Sequence, residues 1–64
     1  MAKIKLQGTN FIINVSQTYD EVIDKLNDAH NNKQVSISLD ELIMDGVPLK
    51  RISIVVNRIL FIRE

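Results

Sequence analysis

Ala2, Ile4 and Leu6 alternate with Lys3, Lys5 and Gln7 at the start of the chain. A period of two predicts a strand with one apolar and one wet face. Gln7-Gly8-Thr9-Asn10 follows as a turn, with Gly8 available for a positive φ. Phe11 to Val15 then predicts a second strand, completing a hairpin. Phe11, Ile13 and Val15 share one face of it, and Ile12 lies on the other beside Asn10 and Asn14.

The period changes next. Tyr19, Val22, Ile23, Leu26 and Ala29 recur at offsets of three and four, the stripe of a helix from Tyr19 to about His30. Thr18-Tyr19-Asp20-Glu21 has the Thr-x-x-Glu form of a capping box. Asp20 and Glu21 also suit the positive end of the helix dipole. Asn31-Asn32 is the expected stop, because Asn tolerates a left-handed cap.

Alternation returns from Gln34 to Asp40, with Val35, Ile37 and Leu39 on one face and an extension through Leu42 to Met44. Asp45-Gly46-Val47-Pro48 is a strong turn signal. Leu49 to Val56 is the next strand, so residues 34–56 predict a second hairpin. Ile59 to Arg63 predicts a fifth short strand or a bent continuation. Strict alternation from Ile52 would bury Arg58, and a bulge or bend at Asn57-Arg58 avoids that. The order ββαββ, with the possible fifth strand, gives an α+β class: residues 1–64 as a single small domain, one helix packed on a four- to five-stranded antiparallel sheet. The expected core is Ile4, Leu6, Phe11, Ile13, Val22, Ile23, Leu26, Val35, Ile37, Leu39, Ile52 and Ile54.

Size sharpens this picture. A chain of 64 residues buries only about 60% of its unfolded surface. Small domains are commonly reinforced by disulfides, metals or oligomers, and there is no cysteine. Meanwhile Ile52 to Val56 and Ile59 to Ile62 carry apolar side chains on both parities, as strands buried on both sides do. One helix cannot cover both faces. A homo-oligomer, most simply a dimer, is therefore expected, with Ile12, Val55, Ile59, Phe61 and Ile62 as its interface; the alternative is a bend that turns Phe61 and Ile62 back into the monomer core. Burying about 400 Å² of apolar surface per chain would contribute roughly 10 kcal/mol before association costs. A fold this small has a total stability of about 5 kcal/mol. Lys50, Arg51, Arg58 and Arg63 flank the apolar runs as gatekeepers against aggregation.

Eight Lys and Arg against eight Asp and Glu leave no net charge, which argues against a strong non-specific polyanion binder. The distribution is uneven, with Asp20, Glu21, Asp24 and Asp28 on the helix and basic residues on the strands. Lys3, Lys5, Lys50, Arg51 and Arg58, with Phe11 or Phe61, outline an alternative: a basic strand platform for nucleic acid. No apolar run approaches the roughly 18 residues of a membrane span. Nothing near Met1 has the length of a signal peptide's apolar region, so a cytoplasmic location is the expectation.

Candidate chemistry is sparse. His30, at the helix end, reads as a cation complementing the dipole, and with Asp24 or Asp28 it lacks metal-ligand spacing. Asp40, Glu41 and Asp45 cluster around the second hairpin, where paired carboxylates could do acid–base work or hold a hard cation. Asp45 reads more simply as a turn residue, and Asp40 and Glu41 as solvated. Gly8 and Gly46 are lone turn glycines. No cofactor, metal or catalytic activity is expected.

Two segments, Ile4-Lys5-Leu6-Gln7-Gly8-Thr9-Asn10-Phe11-Ile12-Ile13-Asn14 and Ile52-Ser53-Ile54-Val55-Val56-Asn57-Arg58-Ile59-Leu60-Phe61-Ile62-Arg63-Glu64, resemble short uncharacterised proteins of prophages and mobile elements in Gram-positive bacteria. The ending is more distantly similar to small flagellar-operon proteins, which lack this helix. The prophage resemblance implies an accessory protein acting by contact with a host or phage protein, and it assigns no functional residues.

Overall fold

The computed structural model describes residues 1–42 and 50–64. Its elements are β1 (Ala2–Leu6), β2 (Ile12–Val15), α1 (Tyr19–Asn31), β3 (Ser36–Glu41), β4 (Lys50–Val55), a 3₁₀ turn (Val56–Arg58) and β5 (Ile59–Arg63). All pairings are antiparallel, and the sheet order is β4-β3-β2-β1-β5. The α+β class holds, and the last strand is separate rather than a continuation of β4. The Asp45–Pro48 turn and the proposed strand ends at Met44 and Leu49 lie outside the described residues.

β4 and β5 occupy opposite ends of the strand order, yet only Val56 to Arg58 separates them. Four residues of extended chain reach about 14 Å. Four inter-strand gaps in a flat sheet amount to about 19 Å, and a 3₁₀ turn advances only about 2 Å per residue. The sheet must therefore curl until its two edges approach, as a half-closed barrel. Backbone bonds fix that closure: Val56 N–H donates to Val35 C=O (2.9 Å), and Gln7 N–H donates to Arg58 C=O (2.7 Å). One short turn is thus tied to the start of β3 on one side and the end of β1 on the other. The turn also keeps Arg58 exposed, as the sequence required.

The capping box forms as expected. Glu21 N–H donates to Thr18 Oγ1 (3.2 Å), and Thr18 N–H donates to Glu21 Oε1 (3.0 Å). The other end departs from expectation. The helix runs through Asn31, and Asn32 is not left-handed (φ −99°); Lys33 takes that conformation instead, at φ 55°. Lys33 N–H then reaches His30 C=O (3.3 Å) and Gln34 N–H reaches Ala29 C=O (2.8 Å), the bonding of a Schellman motif with lysine where glycine is usual. Gly8 has φ 81°, as its turn demands.

The helix packs on β1 and β3. The core is Ala2, Ile4, Val15, Val22, Ala29, Ile37, Leu39 and Ile54, with Leu6, Ile13, Leu26, Ile52, Val56, Ile59 and Ile62 half-buried against it. Three expected core residues are corrected. Phe11 is 61% exposed and Val35 76% exposed, while Ile23 is half-buried outside the cluster. The β1–β2 ladder ends at Lys5↔Ile12, so Phe11 falls in the loop. Val35 precedes β3, beyond the last strand pair at Ser36↔Val55. The small Ala2 and Ala29 fill the space instead.

Candidate functional site

Strand β5 is where sheet register decides which apolar residues are left outside. Ile62 lies opposite Ile4 and Ile59 opposite Leu6, so both face the core. The register shifts between Lys5 and Leu6, which leaves Leu60 as an extra residue on β5. Leu60 is 55% exposed and Phe61 40% exposed. Of the five residues expected at an interface, Phe61 and Val55 are exposed, Ile12 is half-buried, and Ile59 and Ile62 turn toward the core. Leu60 was missed, because only the bulge turns it outward.

Lys5 stands directly between Ile12 and Phe61. One row across β2, β1 and β5 is therefore Ile12, Lys5, Phe61. The next row on that face is Asn14, Lys3, Arg63. The Arg63 guanidinium lies 6.0 Å from the Phe61 ring centroid, at the outer limit of cation–π attraction. This face carries three cations around one aromatic ring.

The five basic residues expected to act together do not converge. Lys3 and Lys5 share the face just described. Lys50 and Arg51 sit on β4, opposite Glu41 and Asp40 respectively, so each faces a carboxylate. Arg58 is in the 3₁₀ turn. Arg63, which the sequence places among the basic strand residues and as a gatekeeper but outside the contact set, joins Lys3 and Lys5.

The acidic cluster also resolves differently. Asp40 is half-buried and hydrogen-bonded to Gln17 rather than simply solvated. Asp45 lies outside the described residues. Among those residues, no three His, Cys, Asp or Glu side chains gather as metal ligands, and no helix is long and apolar enough to cross a membrane.

Comparison with protein-family models, curated proteins and solved structures found no match.

Proposed function

We propose that the protein is a non-catalytic interaction module that pairs with a second copy through β5, in the manner of a phage-type accessory protein. One observation carries this reading. Leu60 and Phe61 stand outward on a strand that pairs with β1 alone among the described residues. An exposed apolar edge strand offers unpaired N–H and C=O groups together with surface that gains from leaving water. Antiparallel pairing of β5 with its symmetry mate would satisfy both, as a two-fold interface allows. Light scattering behind size exclusion at low micromolar concentration tests it. A dimer is expected, and Leu60→Lys with Phe61→Lys should return the chain to a folded monomer. A wild-type monomer of 7.3 kDa overturns the reading.

The row Asn14, Lys3, Arg63 beside Phe61 favours a second reading, a nucleic-acid contact on the outer face of β1 and β5. Single-stranded binding of this kind combines cations on the backbone with stacking on an aromatic ring. Binding that weakens as salt rises, and that is lost in Phe61→Ala, would support it over self-pairing.

A further inference from the structure

A groove lies between α1 and β3, away from β5. The bond from Val56 N–H to Val35 C=O sets the phase of the β3–β4 ladder. In that phase Ile37 and Leu39 exchange bonds with Ile54 and Ile52 of β4, so Ser36, Ser38 and Asp40 turn their N–H and C=O groups the other way. Asp40 finds partners there: its C=O accepts from Ser16 N–H (2.9 Å) and its N–H donates to Gln17 Oε1 (3.1 Å). β2 pairs with β3 only at Val15↔Glu41. Ser36 and Ser38 lie beyond it and have no strand beside them among the described residues.

A groove of about 620 Å³ runs along this unpaired stretch, with Lys25 and Asp28 of α1 on one wall and Ser36 and Ser38 on the other. Lys33 and Val35 stand at its end. Two ammonium groups thus line it against one carboxylate. Lys33 holds its place in a left-handed conformation that glycine would adopt without strain. Val35, the chain's most exposed β-branched apolar residue among those described, has nothing covering it.

We propose that this groove takes an extended acidic peptide from a partner protein as an added strand beside β3. Backbone groups of the peptide bond Ser36 and Ser38, its carboxylates meet Lys25 and Lys33, and an apolar side chain covers Val35. Strand addition of this kind takes affinity from the main chain and specificity from alternate side chains. A second copy is the poorer occupant. Among the described residues, the two edge strands, β4 and β5, hold no carboxylate of their own to meet Lys25 and Lys33.

Amide exchange and two-dimensional NMR test the proposal with a capped six-residue peptide alternating valine and glutamate. In the free protein the Ser36 and Ser38 amides should exchange fast, unlike Ile37 and Leu39. Saturating peptide should shift and protect them. Two partly screened ion pairs correspond to about tenfold in affinity. Lys25→Gln with Lys33→Gln should therefore weaken binding by about that factor, and a peptide with lysine for glutamate, which meets repulsion as well, should bind worse still. Four results overturn the proposal: protection of both serine amides in the free protein, no shifts at millimolar peptide, equal binding of the two peptides, or shifts confined to Leu60 and Phe61. The exchange measurement needs no variant, so it stands even where a substitution impairs folding.

Discussion

Gln17 grips Asp40 with both ends of its amide. Its Nε2 donates to Asp40 Oδ2 (3.0 Å), and its Oε1 accepts from Asp40 N–H (3.1 Å). The Gln17 carbonyl meanwhile accepts from Ala2 N–H (2.9 Å). A single residue before the helix thus joins β1 to β3 just past Val15, where β2 ends.

Gln17→Ala should lower unfolding free energy by about 1–2 kcal/mol, because it leaves the half-buried Asp40 N–H without its acceptor. Gln17→Glu should be worse at pH 7, placing a second carboxylate against Asp40. That penalty should ease on acidification, since like charges raise the pKa of one of the pair. Urea unfolding at pH 7 and pH 4 measures both, and a Gln17→Glu penalty independent of pH would contradict the contact.

Lys33→Gly should stabilise the fold by about 0.5–1 kcal/mol, as left-handed strain on a residue with a Cβ costs roughly 1–2 kcal/mol and glycine gives part of that back as chain entropy. For a domain this size the melting temperature should rise by about 2–8 °C. The same change should weaken peptide binding in the α1–β3 groove, because it removes an ammonium. A thermal melt and the peptide titration, run on one variant, separate the two effects.

Glu21 should titrate below its ordinary value of 4.5. The main cause is the hydrogen bond its carboxylate accepts from Thr18 N–H, followed by the bond with the Thr18 side chain, with Lys25 contributing less. A carboxylate with a lowered native pKa contributes stability that is fully present above its unfolded value and lost as pH falls through the native one. Thermal stability should therefore begin to fall below about pH 4.5, and Glu21→Ala should flatten that part of the profile. Proton NMR titration of the Glu21 side chain reads the pKa directly.

Two residues of β5 should respond very unequally to the same change. Ile62 lies opposite Ile4 and packs on the core, so Ile62→Lys should destabilise by about 3 kcal/mol or more and unfold so small a domain. Leu60 stands outside, and Leu60→Lys in the monomer should alter stability by no more than about 0.5 kcal/mol. Circular-dichroism melts decide, and equal losses would mean that the bulge is misplaced.

Element type was legible where a segment has a clean period. Alternation marked β1 and β3, the three-and-four spacing marked α1, and Thr18 with Glu21 marked the helix start. Phe11 and Val35 misled for one reason: alternation assigns a face but cannot say where a ladder stops. Both sit one step past the last strand pair. Leu60 escaped notice because a bulge breaks the very parity used to assign faces. Lys33 was invisible as a left-handed residue beside two asparagines, which take that conformation more readily. The groove along Ser36 and Ser38 depends on how far β2 extends beside β3, a relation between distant segments that no local pattern encodes.

Lys3 and Arg63 stand side by side although they come from opposite ends of the sequence. During synthesis β1 leaves the ribosome well before β5, its outer neighbour, because β2, α1, β3 and β4 lie between them. Until then it is flanked only by β2, and the two edges of the sheet cannot approach. Assembly is therefore governed by a late, long-range encounter, the kind that slows folding and prolongs exposure of sticky intermediates. Placing β5 directly before β1 through a short linker would convert that encounter into a local hairpin.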